Sequence, residues 1–336
     1  MTQSSRDSGL ALAGGGSAAP GNEAGSAAPG NEAGSAAPAD AARVPRGGTG
    51  RGRVRGAIRY LGVAPFLVYV AIWLFWPTVI VVVGAFRSDS GRATLANMST
   101  LLHSTTILNA FKASIELSVA TALAGAVAGG LLAWAVTVGN PRGVLRRVVV
   151  AASGVLAQFG GVMLTFAFLA TYGYTGLVTL AVEHAFGLSP YTTATWIYTM
   201  FGLGVVYTFF QIPLMVLIFL PALDNLQPQW QEAAANLGGG SWAYWRHVAG
   251  PILAPSFVSA LLLLFVSSFS AYATAAALLS QGDPIVPLQI RTYISSEVIV
   301  GQANMGKALA FGMVVVVAIV MTLYALLQRS SKWRVQ

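Results

Sequence analysis

From residue 61 onward the chain alternates long apolar runs with short polar stretches. Crossing about 30 Å of hydrocarbon takes about 20 helical residues, and six runs are long enough: Leu61–Phe86, Ser114–Val138, Val144–Tyr172, Thr195–Leu220, Pro255–Leu279 and Ala308–Leu327. The runs are continuous rather than alternating, which predicts helices that satisfy their own backbone hydrogen bonds, not barrel strands. The expected fold class is all-α and integral to a membrane.

One interruption differs from the others. Between the fourth and fifth runs stands QPQWQEAAANLGGGSWAYWRHVAGP, Gln227 to Pro251. Pro228 suits a first helical turn, Glu232 is placed near the positive end of the helix dipole, and Ala233, Ala234 and Ala235 favour helix. Gly238, Gly239 and Gly240 end that helix. Ser241 is then expected to cap a second short helix through Trp242, Tyr244, Trp245 and His247, which Gly250 and Pro251 stop. Two short helices at an angle result, one with a small-residue face and one with an aromatic anchor. Such a patch suits docking by another protein, or else lies on lipid headgroups with Trp242 and Trp245 as anchors.

The N-terminal 59 residues are of another kind. GSAAPGNEA at Gly16 repeats at Gly25 and restarts at Gly34 as GSAAPAD. So little apolar surface cannot offset the entropy of ordering a backbone, so 1–59 reads as a disordered low-complexity tail. It ends in a basic run containing Arg51, Arg53, Arg55 and Arg59, read as a topology signal, with binding of anionic lipid as the alternative. No cleavable signal peptide is expected. The membrane domain is placed at 60–329, with a short basic tail at 330–336.

Composition supports the membrane assignment, because a chain 55% apolar and 9% charged cannot cover a water-facing surface of ordinary polarity. The net charge of +8 sits in short clusters beside apolar runs, a pattern of membrane orientation rather than nucleic-acid binding. With the N-terminus inside, fourteen Lys and Arg fall in the cytoplasmic segments: the tail, Arg142, Arg146, Arg147, Arg246, Arg329, Lys332 and Arg334. Five fall opposite, namely Arg87, Arg92, Lys112, Arg291 and Lys307. The positive-inside rule thus predicts both termini, and the 227–251 loop, in the cytoplasm. Cysteine is absent, so thiol chemistry is excluded. His103, His184 and His247 have no partners at ligand spacing, so no metal site is expected.

Glu232-Ala233-Ala234, Gly238 after three further residues, and Val248 and Pro251 beyond resemble the EAA loop of the membrane subunits of binding-protein-dependent ABC importers. Gly250 stands where that family usually has Leu. The resemblance extends from about Leu61 to the C-terminus, through Pro65 and Pro77, the segment LNAFKASIELSVATALAGAVAGGLLAWAV and the six-span layout. It implies the type I permease fold in the plasma membrane (the inner membrane of a cell with two), with no cofactor and no catalytic residue in this chain. Implied partners are cytosolic ATPase subunits, a second permease subunit that is identical or homologous, an extracytoplasmic solute-binding protein, a small-molecule solute and membrane lipid, but no nucleic acid. Glu232, Ala233, Ala234, Gly238 and Pro251 become the residues that couple ATP-driven closure of the ATPase to rotation of the spans. FSAYATAAALLSQG after the fifth span is more similar to permeases for polyamines, iron, thiamine or phosphonates than to sugar permeases, the alternative, whose glycine pair would have drifted to Gln281–Pro284.

GQANMGKA, Gly301 to Ala308, nearly spells a phosphate-cradling loop, but Ala308 has no hydroxyl for magnesium and a membrane span follows. Polar residues inside spans are costly in hydrocarbon and so are candidates for a solute path. Those singled out are Gln158 among Gly154, Gly160 and Gly161, Gln211 before Pro213, and the group Ser267, Ser268, Ser270, Tyr272 and Thr274, from which Ser270 and Tyr272 join the two glutamines. Bonding of the Ser and Thr residues within or between helices is the competing reading. Lys112 and Glu116, four residues apart, are expected to pair locally. A membrane-embedded enzyme would show clustered Asp, Glu, His or Cys within its spans, and a secondary carrier intramembrane carboxylates. The spans show no such cluster, and only Glu116, near an edge of the second, answers the carrier pattern.

Overall fold

The computed structural model describes residues 63–88, 90–139, 143–187, 191, 195–279, 285–295 and 303–332, with side chains as far as 328. The 1–59 tail, Arg142, the 281–284 stretch, residues 297–302 at the start of the phosphate-loop look-alike, and residues 333–336 lie outside it.

The elements are α1 (Ala64–Ala85, with a π turn at Ala71–Phe75), α2 (Ala96–His103), α3 (Thr105–Val138), α4 (Val144–Leu156), α5 (Gly161–Tyr172) and α6 (Leu177–Phe186). There follow α7 (Met200–Asp224), α8 (Pro228–Asn236), α9 (Ser241–Phe269), α10 (Ala273–Leu278), α11 (Val286–Ser295) and α12 (Ala303–Lys332). Among the described residues, six helical stretches are long and apolar enough to cross a membrane.

The helices α3, α7 and α9 form the centre. One face of α3 carries Ala122, Gly125, Ala126, Gly129, Gly130 and Ala133, all buried. Glycines four apart let the α7 backbone come close. A Cβ on Gly129 would stand 2.5 Å from the Ile212 carbonyl oxygen and 2.6 Å from Met215 Cβ, and one on Gly125 2.6 Å from Gln211 Cβ. Met215, Val216, Phe219, Leu264, Phe265 and Phe269 fill the core beside this face. A second cluster joins α5, α7 and α10 through Leu164, Phe168, Leu203, Tyr207 and Leu278. A third brings Ala85, Ile107, Met305 and Leu309 together where α1, α3 and α12 meet. By contrast α1 is unburied over its apolar length, with Phe66, Trp73 and Trp76 exposed, as suits a peripheral helix in hydrocarbon.

Five of the six runs differ from the sequence expectation, the fourth lying at Met200–Asp224 in place of Thr195–Leu220. The second span begins at Thr105, nine residues earlier than expected, because the polar side chains of its first turns alternate with Ile107 and Ala110, which are buried. The sixth begins at Ala303, so Asn304 to Lys307 of the look-alike are helical, with Lys307 Nζ donating to Asn304 Oδ1 at 2.8 Å. The third and fifth spans are not single helices. Between Val144 and Tyr172 the helix opens at Ala157–Gly160, where Gly160 is extended and Gly161 has φ +69°. The two pieces still run the length of α7, with Arg146 bonded to Asp224 at one end and Tyr172 edge-on to Trp196 at the other. By length and apolarity the crossing in this region is Gly161–Phe186 in place of the expected Val144–Tyr172, and α4 is part of none of the six. The fifth run opens at Ser270–Tyr272, between α9 and α10.

Candidate functional site

The 227–251 loop is held at both sides. Before it, Arg146 Nη2 of α4 meets Asp224 Oδ2 at the end of α7 at 2.6 Å. After it, the Trp245 ring packs edge-on against Trp134 of α3, centroids 6.1 Å apart, beside buried Tyr244. Gln227 is extended and turns the chain out, Pro228 takes a first helical position, and α8 follows as expected. Its end is a Schellman motif: Gly238 N–H bonds Ala235 O and Gly239 N–H bonds Ala234 O, both at 2.9 Å. Gly238 has φ +78° and nothing within 4 Å of a built Cβ, so the demand for glycine there is conformational alone.

The second half departs from expectation in three ways. Gly240, not Ser241, is the N-cap, and Ser241 is the first helical residue. Gly250 and Pro251 do not stop the helix. The π turn at Trp245–Ala249 absorbs the missing proline N–H, and Ser241–Phe269 runs on as one stretch. The "second short helix" is therefore the first turn of the fifth span. Glu232 sits beyond the first turn of α8, which carries no acid, so the dipole contributes little there.

Glu232, Ala233, Gly238 and Pro251 are exposed and Ala234 is half-buried. Leu237 at 89% and Trp242 at 77% exposure stand out from the loop. The two tryptophans thus have separate work: Trp245 fixes the loop to α3, and Trp242 is free to meet something else.

The polar span residues fall into two sets. Gln158, Ser270 and Tyr272 are exposed and occupy the two helix openings. Those openings adjoin, since a Cβ on Gly161 would touch Ala273 Cβ at 3.5 Å and Thr165 Oγ1 lies 3.3 Å from the Thr274 carbonyl. Tyr207 of α7 pins the second opening by donating to Ala271 O at 2.5 Å. Ser270 donates back to Val266 O at 2.7 Å, and its oxygen and Tyr272 line a cavity of about 400 Å³. Gln211 is apart and 0% exposed. Its amide nitrogen donates to Thr121 Oγ1 at 3.2 Å, and Thr121 Oγ1 lies 2.9 Å from Ser268 Oγ. Thr121 gives its own proton to Leu117 O at 2.9 Å, so Ser268 must be the donor to Thr121. Gln211 Oε1 is buried without a partner. A groove of about 710 Å³ between α3, α5 and α7 is walled by Phe168, Trp196, Phe209 and Ile212, with Thr121, Tyr172 and Thr208 as its hydroxyl-bearing residues.

Sequence reasoning missed the Arg146–Asp224 pair, the Trp134–Trp245 contact and Arg291, which lines the 400 Å³ cavity. The first two join residues far apart in the chain and leave no local signal. Arg291 carried one, an isolated cation between two spans, but entered only the charge balance. Lys112 and Glu116 stand 3.8 Å apart and well exposed, a pair of little energetic weight.

The chain matches no protein-family model. It is 35% identical over 75 residues to the sulfate transport system permease protein CysT of Escherichia coli K12, covering 22% of this chain and 27% of that one. It is 32% identical over 117 residues to the thiamine transport system permease protein ThiP of the same organism, covering 34% of this chain and 20% of that one. The match thus spans under a third of each relative's length. In fold, it aligns with a chain of a bacterial ABC transporter involved in import of the acidic polysaccharide alginate, with TM-score 0.67 and 14% identity, over 84% of this chain and 97% of the other. A second structure, the alginate ABC transporter in complex with an alginate pentasaccharide-bound periplasmic protein, gives 0.64 at 15% identity, over 82% of this chain and 94% of the other. The chain is thus similar over part of its sequence to permease proteins of transport systems, and over most of its length it shares the fold of a chain of an ABC transporter.

Proposed function

We propose that this chain is the non-catalytic permease subunit of a binding-protein-dependent ABC importer of type I architecture, with both termini in the cytoplasm. It forms half of a solute path with a second permease subunit, receives solute from an extracytoplasmic binding protein and is driven by separate ATPase subunits. Glu232, Ala233, Ala234, Gly238 and Pro251 form the surface and frame by which the ATPase moves the spans, and Gln158, Ser270 and Tyr272 border the path. Gln211 acts between helices rather than on the solute.

The observation that carries this reading is the 227–251 loop itself. It projects polar and apolar side chains from one end of the bundle, yet its two roots are fastened to α4 and α3. An interfacial lipid anchor would leave Trp242 and Trp245 alike clear of the protein and facing the headgroups. Here one is structural and one is presented. The sulfate and thiamine permeases among its relatives support a small polar solute over a sugar.

The test is reconstitution with the ATPase and binding protein. Glu232→Ala and Gly238→Pro are expected to abolish solute-stimulated ATP hydrolysis while the complex still assembles. Proline at 238 is incompatible with φ +78° because its ring holds φ near about −65°. Stimulated hydrolysis that is unchanged in both variants refutes the assignment.

A further inference from the structure

We propose that the cavity at the opening of the fifth span binds an oxyanion, with Arg291 as its charge-bearing residue. This deepens the permease reading and rests on it: it makes the solute, or a phospholipid headgroup at the same place, an anion. The cavity lies at the far end of α9 from the 227–251 loop. It is walled by Pro287, Ile290 and Met313 and carries the polar groups of Tyr272, Arg291 and Ser295 beside Ser270.

The hydrogen-bonding inventory is one-sided. Arg291 offers five N–H donors and no acceptor. Neither its guanidinium nor the hydroxyls of Tyr272 and Ser295 have a partner among the described residues. The Ser270 proton is already given to Val266. No carboxylate among the described residues lines the cavity. Arg291 is exposed to the cavity mouth and faces no carboxylate among the described residues, and a planar fork suits bidentate recognition of oxygen-bearing anions. A polyamine would be repelled by Arg291, and a neutral sugar would leave the guanidinium charge uncompensated, which an oxyanion does not. A volume of about 400 Å³ takes sulfate, phosphate or a small phosphate ester.

The experiment uses the full chain in phosphatidylcholine nanodiscs, with radiolabelled sulfate and inorganic phosphate as probes and spermidine and maltose as controls, read by equilibrium dialysis. Saturable binding of at least one anion is expected, weakened at least tenfold by Arg291→Gln and less by Arg291→Lys, with no Arg291-dependent binding of the controls. If Arg291→Gln lowers the unfolding midpoint, Tyr272→Phe decides, since it removes one donor and keeps the ring. Repeating with phosphatidylglycerol separates the sources: loss of anion binding assigns the site to a headgroup, and retention assigns it to a free solute. Failure of the wild-type chain to bind either anion, or equal binding by the variants, overturns the proposal. The assay needs no ATPase, so its failure leaves the Glu232 test standing and the reverse also holds.

Discussion

Adding a single methyl group to Gly129 tests the packing on which the bundle depends. Its Cβ would fall 2.5 Å from the Ile212 carbonyl oxygen and 2.6 Å from Met215 Cβ. Neither is the far end of a flexible side chain, so α3 and α7 must part. Overpacking of this kind costs about 1–3 kcal/mol, against a gain of up to about 1 kcal/mol for alanine over glycine in a helix. Gly154 is the internal control: it is also helical, in α4, and a Cβ there meets nothing within 4 Å. The propensity gain is shared, so comparing Gly129→Ala with Gly154→Ala isolates the steric term. Gly129→Ala should be the less stable of the two by about 1–3 kcal/mol, measured by reversible unfolding of the purified chain in mixed micelles. A difference below about 0.5 kcal/mol, the usual scatter of neutral surface changes, refutes the close α3–α7 contact.

Two further predictions concern Gln211 and the orientation of the chain. Gln211→Leu removes one hydrogen bond but also a buried acceptor that has no partner, so stability should change by less than about 1 kcal/mol, whereas Thr121→Val strands the donors of Gln211 and Ser268 and should cost about 1–3 kcal/mol. A Thr121→Val variant as stable as wild type in the same unfolding assay refutes the network. Because the chain has no cysteine, Trp242→Cys and Tyr272→Cys give background-free labelling with a membrane-impermeant maleimide. Trp242→Cys should react only from the cytoplasmic side and Tyr272→Cys only from the opposite side, and labelling of Trp242→Cys in intact cells contradicts the orientation.

Much of this architecture is legible in the sequence because the membrane imposes strong rules. Continuous apolar runs have few alternatives to spanning helices, and the α8 helix followed from Pro228, the alanines and Gly238, each acting within a few residues. What could not be read is where a long apolar run opens. Nothing within Pro255–Leu279 distinguishes Ser270–Tyr272 as a break, since Tyr207 of α7 holds it from 64 residues away. The stop expected at Gly250–Pro251 failed for a related reason: a π turn, fixed by the Trp134–Trp245 packing, carries the helix past a proline that local rules treat as a terminator. Gln211 was ambiguous from sequence because a polar residue in a span serves a solute path and a helix contact equally well. Its burial against the small face of α3 and its bond to Thr121 support the helix contact.

For the proposed coupling, the continuity of α9 sets how the loop would act on the spans. A hinge at Gly250–Pro251 would let the loop swing without moving the fifth span. Instead 29 residues, Ser241 to Phe269, extend about 44 Å at 1.5 Å per residue from exposed Trp242 to the opening beside Ser270. The other root of the loop is α7, and α7 and α9 share one core against α3. A force applied at Leu237 or Trp242 therefore reaches the far end through two helices that must move together. The openings at Ala157–Gly160 and Ser270–Tyr272 adjoin where α9 ends, about midway along α7, and in the proposed coupling they are where the third and fifth spans would bend. The openings thus stand beside the cavity that Arg291 lines, so in the proposed coupling a displacement of the loop would change that cavity's mouth without any residue in between having to unfold.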